Sequence, residues 1–231
     1  FTDGGIKLDK KWLEELVRPV RENGADAVYG AYEPILDSFI KECSLIAYVP
    51  AKASCGWPAF RTDFIASSLF KKHIWKGAGG FPPFRAAEDK IFMDKVRKTD
   101  AKIKYADKAL VYWQIPASIK EIFQRFREFS AHDILAARTK DWHRSVFRTY
   151  GLLLLFLALG IFISPLFFWC ILGIWVLRVM RIFFKKSKDF KYKFALNPFY
   201  LFAIQFIVLV TDMAMFCGVL KSMGMRYGKN K

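Results

Sequence analysis

Three groups of residues among the first 130 positions carry side chains of the kind that do chemistry. Phe1-Thr2-Asp3-Gly4-Gly5 sets a carboxylate in a glycine turn, with Asp9 and Trp12-Leu13 just after it. Gly79-Gly80-Phe81 is followed by Ala87-Glu88-Asp89, an acidic pair opening an amphipathic stretch. Gln124-x-x-Arg127 places an amide and a cation three residues apart, on one face of a helix. A helix-start carboxylate can take a proton from a hydroxyl, and a guanidinium or a metal held by a carboxylate can neutralise a departing anion. Each group also has an ordinary reading. A Thr-Asp-Gly turn closes a loop, first-turn acids offset a helix dipole, and Gln-x-x-Arg recurs by chance.

The elements that would present these groups alternate between helical and extended patterns, which predicts an α/β fold. Residues 10–22 put Trp12, Leu13, Leu16, Val17 and Val20 on one helical face, and Ala27–Gly30 reads as a strand after Asn23-Gly24. A helix is expected over 34–49 with Ile35, Phe39, Cys43 and Ile46 inward, a strand at 59–61 and a helix over 62–74. Gly77 to Pro83 is loop by composition. Glu88 to Lys98 is a helix with acids first and bases last, and Ile103 to Trp113 supplies one or two strands around Asp107-Lys108. Ser118-Ile-Lys-Glu121 is a capping box. It opens an amphipathic helix with Ile119, Ile122, Phe123, Phe126, Phe129 and Ile134 on one side and Lys120, Arg125 and Arg127 beside them. Such a helix can lie in a membrane interface or pack on the domain core.

Composition bounds the rest. Of 231 residues 54% are apolar, with 24 Phe, yet 25% are charged; soluble domains run at about 45–50% apolar, so the excess is concentrated, and it follows Arg148. The charge is uneven too: residues 138–231 hold fifteen Lys/Arg against three acids, so +12 of the net +16 lies there. A nucleic-acid binder carries its basic patch on the folded domain. Here the surplus flanks apolar segments, which fits anionic lipid headgroups and argues against nucleic acid. Cys43, Cys55, Cys170 and Cys217 form no CxxC and share no ligand spacing with His73, His132 or His143. Neither a disulfide framework nor a zinc site is expected. Phe1 to Gly5 reads as the end of a strand that begins before this chain.

No residue between Arg148 and Arg178 is charged, and Pro165 interrupts the run. At about 1.5 Å per residue it exceeds one crossing of a roughly 30 Å core and is tight for two. Basic clusters at 138–148 and 178–193 flank it, and the positive-inside rule keeps both on one side if the run turns back at Ser164-Pro165, with Arg178 and Arg181 snorkelling. Phe194 to Leu220 is a further apolar segment. Its Asp212 should face a neighbouring helix or the site, and three crossings would leave its basic tail outside.

In this order, ahead of the apolar segments, the three groups resemble the family 2 processive and lipid-linked glycosyltransferases. The likeness runs from Phe1 to about Phe129 and extends loosely beyond. Asp3 matches the first acid of the family's Asp-x-Asp type motif, and Gly5 stands where the second often lies. Ser54-Cys55-Gly56-Trp57 with Ala59-Phe60-Arg61, Gly79-Gly80-Phe81, and Glu88-Asp89 match further stretches. Gln124 and Arg127 match QxxRW, with Glu128 in place of Trp. The resemblance implies a GT-A type α/β domain whose N-terminal nucleotide-binding half lies outside this chain, and no activity from the chain by itself. It assigns Asp89 as catalytic base and Glu88 to the acceptor. Asp3, Gln124 and Arg127 go to the nucleotide-sugar donor, with a divalent Mn or Mg at Asp3. A lipid-linked or saccharide acceptor would be served at the cytoplasmic face of the cell membrane by a multi-pass enzyme.

The expected layout is an acceptor-side half at 1–116, an amphipathic interfacial helix and basic linker at 117–148, and two or three hydrophobic helices in 149–231. Two rival readings remain. One is a non-catalytic membrane transport or assembly subunit with a basic cytosolic domain, using Asp212 and Gln205. The other is a peripheral lipid-binding regulator working through 118–137.

Overall fold

The computed structural model of the protein describes residues 1–49, 65–84, 86–140, 142–187 and 197–229. The chain divides into two compact units, Phe1–Leu45 with Pro50–Ala117, and Ile46–Val49 with Ser118–Lys231. The first is α/β and the second helical.

In the α/β unit β2 (Ala27–Pro34) and β4 (Ile103–Trp113) run parallel, flanked by β1 (Lys7–Leu8) antiparallel on β4 and β3 (Ser68–Phe70) antiparallel on β2. The order is β1-β4-β2-β3. Residues 27–32 are buried without a break, as a strand covered on both faces requires. Successive side chains take opposite faces. Val28 clusters with Leu16 of α1 (Trp12–Asn23), whereas Ala27 and Tyr29 cluster with Ile74 of α3 (Lys72–Gly77) and Phe92, Met93 and Val96 of α4 (Glu88–Arg97). Helices therefore cover both sides of the sheet. Gly30 pairs with Ala106 and Ala31 with Leu110, so β4 carries three extra residues, 107–109, at this bulge. A Cβ on Gly30 would lie 2.1 Å from Ser67 Oγ and 2.5 Å from Ala109 O, which fixes glycine there.

Several expectations change. The helix over 34–49 is shorter, α2 (Phe39–Ala47), because Pro34 still belongs to β2. The helix over 62–74 is replaced, in its described part, by β3 and α3. Ser68, Leu69 and Phe70 pair with Tyr29, Val28 and Ala27, and this pairing overrides the local helical pattern. Leu13 is 61% exposed rather than inward. The irregularity at Asp107-Lys108 is a bulge within one strand. The strand at 59–61 and the stretch Ser54–Trp57 lie outside the described residues, as does Cys55.

The helical unit contains α5 (Ile119–Leu135), α6 (His143–Phe162), α7 (Phe167–Ser187) and α8 (Pro198–Lys229). The capping box holds: Ser118 Oγ accepts from Glu121 N at 3.2 Å. The uncharged run breaks at Ser164-Pro165 as expected, and α6 and α7 turn back on each other, with Phe168 packed at Gly160. Pro198–Met225 and all of α6 are long and apolar enough to cross a membrane, while the apolar part of α7 is the shorter Phe167–Arg178. The outside of these helices is apolar: Leu154, Phe162, Trp169 and Phe202 are 65%, 84%, 69% and 77% exposed.

Several polar groups of this unit are buried, among them Asp133, His143, Thr211 and Asp212. Asp212 is 2% exposed and receives Arg178 Nη1 and Nη2 at 2.5 and 2.8 Å and Tyr150 OH at 3.2 Å. Asp212 thus faces neighbouring helices, as expected, but Arg178 pairs with it instead of snorkelling. Phe216 packs edge-on against Phe147 and Tyr150, which brings α8 against the first turns of α6. α5 packs on the same stretch of α8. A Cβ on Gly218 would lie 2.5 Å from both Arg127 O and Ser130 Cβ, and Ser130 Oγ donates to Met215 O at 2.8 Å.

Candidate functional site

Asp3 lies on an exposed turn closed by Gly4-Gly5, Gly5 being left-handed at φ 81°. The turn is anchored by Phe1. Ser68 N donates to Phe1 O at 3.3 Å, and the Phe1 ring lies 4.9 Å from Trp75 and 5.7 Å from Phe81. Phe81 follows the Gly79-Gly80 turn, where both glycines have positive φ, 74° and 63°. Its ring is 5.1 Å from Phe92, which sits one helical turn after Glu88 and Asp89 on α4. Phe70 and Trp75 complete the cluster at 5.1 and 4.7 Å from Phe92. One aromatic cluster therefore joins the segments carrying Asp3, Gly79-Gly80 and Glu88-Asp89. Ring pairs of this kind prefer tilted and edge-on packing, which fixes relative orientation as well as distance.

Ala87 precedes α4 without a side-chain cap, so the first-turn N–H groups fall to the acids. Asp89 Oδ1 accepts from Lys90 N at 2.7 Å. That leaves Oδ2 as its second acceptor. Both acids are half-buried, and one Glu88 oxygen is shut off from solvent. The geometry suits a carboxylate held at a helix start and equally one that offsets the dipole.

Gln124 and Arg127 lie in the other unit, on α5. Gln124 is exposed and Arg127 half-buried. Arg127 Nη2 donates to Glu128 Oε1 at 3.3 Å, and its buried Nε has no hydrogen-bond partner among the described residues. Glu128 in turn takes Lys221 Nζ on both oxygens, at 2.5 and 2.7 Å. The Lys221 hydrogen bonds, ahead of the neighbouring Arg127, hold the Glu128 carboxyl below its ordinary range. Among the described residues no group of three or more His, Cys, Asp and Glu could hold a metal. A Mg²⁺ ion uses one or two carboxylates together with substrate phosphates.

Pattern reading missed three positioning features. Gly80 does more than turn: a Cβ there would lie 3.1 Å from Trp75 Cζ2. Lys221, 93 residues after Glu128, and Gly218 hold α8 against α5 beside Arg127. Ser130, His143 and Met215 form a buried link, His143 Nε2 lying 2.9 Å from a Ser130 Oγ whose proton goes to Met215 O. The hydroxyl has one proton, so His143 donates through Nε2. No local signal pointed to the Lys221–Glu128 and Ser130–Met215 contacts, because each joins α5 to α8, far apart in sequence.

No protein-family model matches the chain, and no curated protein sequence matches it.

Proposed function

We propose that the chain is the acceptor-side part of a membrane-bound inverting glycosyltransferase of the family 2 type. It would move a sugar from a nucleotide-sugar to a lipid-linked or saccharide acceptor. The observation that supports this most is the aromatic cluster of Phe1, Trp75, Phe81 and Phe92, which links the Asp3 turn, the Gly79-Gly80-Phe81 loop and the Glu88-Asp89 helix start. In this reading Asp89 takes the proton from the acceptor hydroxyl as its oxygen attacks the anomeric carbon from the face opposite the leaving group. Glu88 orients the acceptor. The bond to the diphosphate breaks, and Arg127, with Gln124 beside it, holds the leaving anion. A divalent ion entering with the donor at Asp3 would supply further charge neutralisation.

The apolar exterior of α6 and α8 supports a membrane location. The basic clusters at 138–148 and 178–193, on either side of an uncharged run that turns back at Ser164-Pro165, support a cytoplasmic location for both under the positive-inside rule. A multi-pass enzyme facing the cytoplasm, where nucleotide-sugars are made, follows from this reading.

The test is Asp89→Asn in the enzyme as it occurs in its membrane. Asparagine keeps shape and hydrogen bonding but cannot take the proton, so transfer should fall on the order of 10²–10⁴-fold with donor binding little changed. Asp3→Asn should instead weaken donor binding and any dependence on added Mn²⁺ or Mg²⁺. Wild-type turnover by a folded Asp89→Asn protein would reduce Asp89 to a dipole-offsetting residue.

A further inference from the structure

The chain Arg127–Glu128–Lys221 places a carboxylate directly beside the cation assigned to the donor's diphosphate. A bare carboxylate there would repel the diphosphate and hold the guanidinium for itself. Lys221 removes both difficulties. Its ammonium contacts both Glu128 oxygens, whereas Arg127 reaches Glu128 by one bond of 3.3 Å, so the stronger claim on the carboxylate comes from α8. The three side chains are each about one third exposed, within reach of a soluble ligand. Gly218, one turn before Lys221, lets the backbone at Arg127 rest against α8, since a Cβ there would lie 2.5 Å from Arg127 O. Arg127 is thus fixed through its backbone by Gly218 and relieved of its neighbour by Lys221.

We propose that Lys221 is a positioning residue: by neutralising Glu128 it leaves the Arg127 guanidinium available to the anionic part of the donor. The proposal rests on the glycosyltransferase reading for the identity of the anion, but the competition of Lys221 and Arg127 for Glu128 does not. It also accounts for the acid at the position where the resembled pattern carries Trp. Arg127, Glu128 and Lys221 together carry one net positive charge, as Arg beside Trp would.

The test compares Lys221→Met, Glu128→Gln and the double variant in the membrane-embedded protein. One readout is donor KM and kcat; the other is modification of Arg127 by phenylglyoxal, followed by mass spectrometry. Lys221→Met should raise donor KM about tenfold, the worth of one charge-assisted contact, with kcat changed less than about twofold. It should also slow Arg127 modification, because Glu128 then binds the guanidinium. Adding Glu128→Gln should restore both readouts toward wild type. A tie that merely holds α5 on α8 is broken in the double variant as well, and predicts no recovery. Absence of recovery, or a Lys221→Met protein identical to wild type in both readouts, overturns the proposal. If the wild-type protein transfers no sugar, the enzyme reading fails, and the modification rates alone decide the role of Lys221 by the same criteria.

Discussion

Asp26 and Asp212 each hold a cation, and their surroundings are opposite. Asp26 takes Lys71 Nζ at 2.8 Å and Lys102 N at 3.0 Å at the open rim of the sheet, with its side chain 22% exposed. Asp212 takes Arg178 and Tyr150 inside a bundle whose outer surface is Leu, Phe and Trp. In the α/β unit apolar side chains go in and charges stay at the rim. In the helical unit the Asp212–Arg178 pair lies inside, and many large apolar side chains face out. Water is the solvent for the first pattern. An apolar medium suits the second, because an ion pair buried in it satisfies groups that nothing outside can.

The largest expected effect comes from breaking the inner pair. Arg178→Leu leaves Asp212 buried and uncompensated, at a cost of about 3–5 kcal/mol, and Arg178→Leu with Asp212→Leu should regain much of it. Thermal unfolding in detergent reads both; equal losses in the single and double variants would mean that the pair is not what holds the helices. Gly218→Ala comes next. Its Cβ would meet the backbone of α5 at 2.5 Å, so about 1–3 kcal/mol of overpacking is expected, again seen in detergent. Gly80→Ala should cost about 1–2 kcal/mol from its left-handed backbone, with Trp75 pushed aside, and show as a shift in tryptophan emission from the α/β unit.

The smallest effect sharpens the comparison at the rim. The Lys71 hydrogen bond, then that from Lys102 N, holds the Asp26 carboxyl below its ordinary range. A depressed carboxyl stabilises the fold fully above its unfolded pKa and loses that contribution as pH falls through the folded one. Wild type should therefore lose more stability than Asp26→Asn between about pH 5 and pH 2, and 1 M salt should narrow the difference at neutral pH. Parallel acid limbs in the two proteins would show that Asp26 contributes nothing.

Local chemistry was legible wherever the determinant is local. The capping box at Ser118, the acidic start and basic end of α4, the glycine loop before Phe81 and the break at Ser164-Pro165 all follow from neighbouring residues. The uncharged run also marked the apolar helices, because no tertiary context rescues that many exposed apolar side chains in water. The failures share a cause. Ser68–Phe70 became a strand because Ala27–Tyr29 offered an edge forty residues away. Arg178 left the expected snorkelling position because Asp212 stands 34 residues on. For the site, residue types and their order were legible, and the aromatic cluster that joins Asp3 to α4 was not, since ring-to-ring contacts leave no periodic trace.

Sugar transfer is the decisive measurement. Membranes carrying the complete protein would be given a panel of labelled nucleotide-sugars, and label would be counted in the lipid-extractable and polymer fractions. A glycosyltransferase should incorporate label from one donor class and lose that activity on the order of 10²–10⁴-fold with Asp89→Asn while the variant remains in the membrane. No incorporation from any donor, or equal incorporation by the Asp89→Asn protein, would contradict it.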